Sequence, residues 1–185
     1  MPVHERRQHF RIDDHIYFEF REIKPGEVCS DLMISKQLLG EQGMRYMEAV
    51  QYFQDIDNEL SDLTQNIALE HPGVAHYLNL LNSKIDYISR QVFMGNQVQM
   101  RKVNISLGGM AFKTDKQYKL ETHFKMVIYT KPKMSPILVD ATVVYCQYQG
   151  ATSYRTAVEF EKLNLEQEQL LSQHIMLAQI KSRAD

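Results

Sequence analysis

The sequence has no apolar run long enough to cross a bilayer as a helix, so no helical membrane insertion is expected. Cysteine is nearly missing. Cys29 and Cys146 stand far apart without metal-ligand spacing, and reduced packing thiols are the expectation in a chain that shows no secretory leader. An excess of either charge is lacking too: 21 basic and 23 acidic residues leave a net charge of −2, which gives no general attraction for DNA or RNA. Enzyme fingerprints are missing as well. There is no P-loop, no dinucleotide-binding glycine pattern, and no Ser/His/Asp or Cys/His set in a motif context. His71 and His76 are five apart, which puts them on different helix faces, and the other histidines show no ligand spacing. Asp13-Asp14-His15 suggests a metal cluster, but neighbouring residues at a strand start diverge, and a solvated turn is the preferred reading. The expectation these absences leave is a cytoplasmic protein that is not an enzyme and holds no metal or cofactor.

At 185 residues, 44% apolar and 24% charged, the chain is long enough for one domain with an insertion. Ile16, Phe18 and Phe20 alternate with Tyr17, Glu19 and Arg21, a period-2 pattern that predicts a half-buried strand ending at Pro25-Gly26. From about Asp31 to Met94 the period becomes helical. Pro72-Gly73 divides this stretch, with Pro72 suited to the first turn of a second helix. Strands return after Gly95-Asn96. One runs from Gln97 toward Asn104 and another from Met110 to Lys113. Phe124, Met126 and Ile128 mark a third. Ile137, Val139, Ala141, Val143 and Tyr145 share one face of a fourth, and Tyr154, Thr156, Val158 and Phe160 one face of the last. Asn164 with Gln167 forms a capping box ahead of a C-terminal helix. The expected fold class is α+β: a small antiparallel β-barrel, residues 1–24 and 96–185, interrupted by a helical segment, residues 25–95, and followed by a helix.

In the second predicted helix Val74, Leu78, Leu81, Ile85, Ile88 and Val92 repeat at 4-3-4-3-4 spacing. Ala49, Phe53, Ile56, Leu60, Leu63 and Ile67 do the same in the first. The two seams could close on each other as a hairpin. Tyr77, Leu80 and Tyr87, with Tyr46, Met47 and Val50, widen the apolar surface beyond what a two-helix hairpin covers. Self-association of the insertion into a homo-oligomer is therefore the expectation.

Two short patterns carry chemistry. Arg6, Arg7 and Arg11 form R-R-x-x-x-R, and Asn104 to Gly109 form N-x-S-x-x-G-G. Arginine forks suit phosphates, can satisfy the N7 and O6 acceptors of guanine, and stack on base faces. Asn104 and Ser106, two apart, share one face of a strand end and offer donors and acceptors. Gly108 and Gly109 would permit positive φ and close backbone approach.

In this order and ahead of strands, the two patterns resemble the PilZ family. Arg7 and Arg11 match its R-x-x-x-R; Asn104, Ser106 and Gly109 match its D/N-x-S-x-x-G; Arg155 to Phe160 resembles its last strand. The resemblance implies a six-stranded antiparallel PilZ-type barrel and cyclic di-GMP as ligand. The implied site residues are Arg6, Arg7, Arg11, Asn104, Ser106, Gly108 and Gly109, with Arg155 added. It further implies that Arg6, the extra arginine, favours a stacked pair of ligand molecules. The N-terminal arm would then wrap the ligand and present a surface to a downstream protein. Family members commonly separate the motifs by a couple of dozen residues. Here Arg11 and Asn104 are 93 apart, because the helical segment intervenes. The competing expectation is a scaffold whose barrel docks proteins and whose ligand site is idle.

Overall fold

The structure, a computed structural model, describes residues 10–27, 30–94, 100–131 and 134–184. Along the chain run β1 (Ile12–Ile23), α1 (Asp31–Glu70), α2 (Pro72–Met94), β2 (Met100–Ser106) and β3 (Gly109–Thr114). Then come β4 (His123–Thr130), β5 (Ser135–Gly150), β6 (Ser153–Phe160) and α3 (Leu165–Ala184). The chain divides into two compact units, residues 1–38 with 98–185, and residues 39–97.

The first unit holds a closed six-stranded antiparallel barrel in the order β1-β2-β3-β6-β5-β4. β1 closes it by serving two neighbours. Ile12 to Tyr17 pair with β2, and Phe18 to Ile23 pair with β4. The inward side of the pleat fills the interior with Ile16, Phe18, Val103, Ile105, Met110, Phe112, Phe124, Met126, Ile128, Val139, Val143 and Val158. At about 1.5–3 kcal/mol for each large apolar side chain removed from water, this set is the main source of the unit's stability. Phe20, Phe112, Phe124 and Tyr118 pack edge-on or tilted around one another. Burial raises the pKa of the Tyr118 phenol, while Lys116 beside it pulls the other way.

The capping box predicted for α3 is formed. The Gln167 backbone amide donates to Asn164 Oδ1 at 2.8 Å, and the Asn164 amide donates to Gln167 Oε1 at 2.9 Å. α3 then packs across β1, β4 and β5, and Leu171 and Ile175 join the barrel core. His174 is 1% exposed. Its Nδ1 accepts from the Lys131 backbone amide at 3.0 Å, and its Nε2 lies 3.3 Å from Asp14 Oδ2 without hydrogen-bond alignment. Lys131 Nζ completes the group, 3.2 Å from both Asp14 oxygens. Burial lowers the His174 pKa; Asp14 opposes that effect and Lys131 reinforces it.

Two expectations are corrected here. Asp13-Asp14-His15 is not a solvated turn, because β1 already begins at Ile12. Asp14 lies on the same side of the strand as Ile12 and Ile16, and its pairing with Lys131 and His174 lets a carboxylate sit there. Tyr145 does not continue the buried face of Ile137, Val139, Ala141 and Val143. A register shift between Val143 and Tyr145 inserts an extra residue, and Tyr145 is exposed.

In the second unit, α1 and α2 meet at His71-Pro72, and the His71 carbonyl accepts from the Val74 amide at 3.0 Å. Gly40 interrupts α1 with φ 65° and ψ −178°, a left-handed kink that a residue with a β-carbon would resist. On α2 the seam faces solvent: Val74, Leu81, Ile85, Ile88 and Val92 are exposed, with Ile85 at 60% and Val92 at 64%, while Leu78 is half-buried. Phe53, Ile56, Leu60 and Leu63 are exposed on α1.

Candidate ligand-binding site

The candidate site follows from strand register. The two-residue Leu107-Gly108 turn between β2 and β3 sets Asn104 opposite Ala111. Asp13 lies opposite Asn104 on the other side, and Ala157 opposite Ala111. These four residues form one outward row across β1, β2, β3 and β6, because Val103, Ile105, Phe112 and Val158 take the inward positions. Opposed side chains in such a row stand about 4.5–5.5 Å apart, so two alanines side by side leave a low, apolar floor. Arg11 and Asn104 rise on one side of it, and Arg155 rises from β6. Together the five residues line an open depression on the barrel surface.

The polar rim is connected. Arg11 Nη1 donates to Asn104 Oδ1 at 3.5 Å, and Asn104 Nδ2 donates to Asp13 Oδ1 at 2.8 Å. Arg155 is exposed, and its cross-strand neighbour Lys113 adds another exposed cation. Two guanidinium groups beside a flat apolar floor can bind a phosphate, satisfy a base edge and cover a base face.

The structure treats the predicted site residues unequally. Arg11, Asn104 and Arg155 come together at the depression. Arg6 and Arg7 lie outside the described residues. Ser106 is only 2% exposed, and its hydroxyl donates to the Gly109 carbonyl at 3.3 Å, so it braces the β2–β3 turn. The positive φ expected of Gly108 and Gly109 is not found; among the described residues the glycines that adopt it are Gly26, Gly40 and Gly150. Gly109 is required for a different reason. A β-carbon there would collide with the Val158 carbonyl oxygen and stand 3.2 Å from Glu159 Cα. The Gly108 carbonyl accepts from the Phe160 amide at 3.0 Å. The second half of the motif thus seats the β2–β3 turn against β6. Sequence reasoning missed Asp13, Ala111 and Ala157, although counting outward from a two-residue turn would have placed Ala111 opposite Asn104. Among the described residues, no group of three His, Cys, Asp or Glu is arranged to hold a metal ion.

The site is thus an open, cationic depression with an apolar floor on the outer face of a small closed barrel. Residues 86–177 match the PilZ domain family, and the chain belongs to it. The match begins within α2, so it takes in Asn104 to Gly109 and Arg155 but not the N-terminal arginines. Among solved structures, a Xanthomonas campestris protein described as a tetrameric PilZ domain self-assembled via a helical bundle is similar over 96% of this chain and 90% of its own. The TM-score is 0.53 at 14% identity. The Bacillus subtilis inhibitor of motility MotI/DgrA aligns over 98% of this chain with a TM-score of 0.45 at 12% identity, and the chain spans 57% of its length. No curated protein matches the sequence. Among the described residues, no helix is long and apolar enough to cross a membrane.

Proposed function

We propose that this protein is a cyclic di-GMP receptor and adaptor of the cytoplasm that changes conformation on binding and regulates a downstream protein. The observation that carries the reading is the Arg11–Asn104 contact. Two motif residues 93 positions apart meet at 3.5 Å on the rim of an apolar floor, with Arg155 lining the same depression. Nothing in barrel folding demands that contact, because both side chains point outward. Arg11 and Arg155 would take the phosphates and guanine edges, Asn104 would read a base edge or accept from the ligand, and the two alanines would lie under a base. Arg6 and Arg7 would add cations and favour two stacked ligand molecules over one.

The helical insertion is proposed to join copies of the chain. Exposed Ile85, Ile88 and Val92 at heptad spacing support it, as does the helical-bundle assembly described for the Xanthomonas protein. A second reading, a scaffold with an idle ligand site, draws support from Ser106 and Gly109, whose presence the β2–β3 turn already explains. Isothermal titration with cyclic di-GMP separates the two. Saturable binding is the receptor's result, and a flat titration at high micromolar ligand is the scaffold's.

A further inference from the structure

Asp13 belongs to neither motif, yet it makes the shortest hydrogen bond on the rim of the site. Its Oδ1 accepts from Asn104 Nδ2 at 2.8 Å, and the same Asn104 offers Oδ1 to Arg11 Nη1 at 3.5 Å. A primary amide is nearly symmetric in shape, so an exposed asparagine can present either end to a neighbour. A carboxylate removes that freedom because it can only accept. Facing Asp13, Asn104 must turn its NH2 toward β1, and its carbonyl is left toward the guanidinium of Arg11. Turned the other way, Asn104 would set its NH2 against Arg11, a donor against donors, and its carbonyl against the Asp13 carboxylate.

We infer that Asp13 is a positioning residue: it fixes the orientation of the Asn104 amide and, through it, holds the Arg11 side chain over the Ala111–Ala157 floor. Cross-strand register makes this possible, since Asp13 and Asn104 are directly opposed on β1 and β2. A single hydrogen bond thereby organises two of the groups that would meet the ligand before it arrives, which reduces the ordering cost of binding. The carboxylate also stands close to where an anionic phosphate would lie. Repulsion between the two would weaken binding, a cost that positioning of Asn104 and Arg11 would offset.

The inference rests on the proposed cyclic di-GMP reading, and the test separates the two. Asp13 is exposed, so Asp13→Ala and Asp13→Asn should both fold. Asn at this position keeps a carbonyl that can accept from Asn104 but carries no charge. Cyclic di-GMP is titrated into wild type and both variants, and the Asn104 side-chain amide is followed by NMR without ligand. The expected result is about tenfold weaker binding for Asp13→Ala, with Asp13→Asn binding as tightly as wild type or more so. The Asn104 NH2 protons should carry the shift of a hydrogen-bonded amide in wild type, and lose it in Asp13→Ala. Equal or tighter binding by Asp13→Ala, or an Asn104 amide indifferent to the substitution, overturns the positioning role. A flat titration for wild type with the amide response intact overturns the receptor reading instead, and the ligand-positioning role falls with it.

Discussion

Arg11→Ala is the substitution on which the receptor reading most directly depends. Arg11 sits one residue before β1, exposed, with its guanidinium tied to the barrel at Asn104 Oδ1 by a long 3.5 Å contact. That contact is weak. An exposed, long hydrogen bond contributes close to nothing to folding, so the variant should melt within a degree or two of wild type. Ligand binding is a different matter, because a phosphate would meet the same guanidinium through charge-assisted bonds of about 1.5–3 kcal/mol each. Solvent exposure favours the lower end of that range. One such bond still predicts at least about tenfold weaker binding, and two approach a hundredfold. Salt supplies an internal control: the wild-type advantage should shrink between low and high ionic strength as screening grows. The assay is titration calorimetry on both proteins at two salt concentrations, with a melting curve for each. If wild type binds and Arg11→Ala binds equally well, Arg11 is not a ligand contact and the rim described above has no role.

Gly109→Ala should lower the melting temperature by several degrees or prevent folding, because its β-carbon meets β6 backbone that cannot yield as a flexible side chain would; an unchanged melting curve would contradict the packing argument. Ser106→Ala should cost about 1 kcal/mol of stability through the lost bond to the Gly109 carbonyl and leave affinity within about threefold, as read by urea titration and calorimetry. Replacing Ile85 and Ile88 with glutamate should dissociate the assembly without harming the barrel, since unpaired charge in an apolar interface costs several kcal/mol; light scattering that shows wild type to be a monomer at micromolar concentration would sink this. Because the His174 pKa lies below its ordinary value near 6.5 in the fold, the unfolded chain binds the proton first, and this stability is present above about pH 6.5 and lost as pH falls. Urea midpoints between pH 8 and pH 5 should therefore fall more steeply for wild type than for His174→Gln, and parallel curves would refute the assignment.

Much of the fold was legible because periodicity changes cleanly along this chain. The helical stretch predicted from Asp31 to Met94 is bounded by the same residues in the structure, with the break at Pro72. The capping box at Asn164 and Gln167 formed as its spacing required. What escaped was set by partners distant in sequence. Asp13-Asp14-His15 has the composition of a turn, but it pairs with β2, and Lys131 and His174, more than a hundred residues away, accommodate the Asp14 carboxylate there. Tyr145 fits the alternation of β5 perfectly. The register shift that turns it outward comes from pairing with β6, which no local pattern records. Gly40 stands in a helical pattern with Gly43 three residues on, and there a kink and a tolerated helix position look alike.

The motif residues divide in the same physical way. Asn104 and Arg11 form an exposed pair that the barrel does not need, whereas Ser106, Gly108 and Gly109 are fixed by the turn and by the approach of β6. A barrel of this topology with no ligand at all would still require a small residue at position 109 and would still gain from a hydroxyl at position 106. It would have no use for an arginine tethered over two alanines. The glycine-bearing motif therefore has a role in the fold in its own right, besides any part it takes in holding a ligand. On the proposed reading, the statement about function is concentrated in Arg11, Asn104 and Arg155, with Asp13 inferred to hold the first two in place. Substitutions that test function without disturbing the barrel have to be made there.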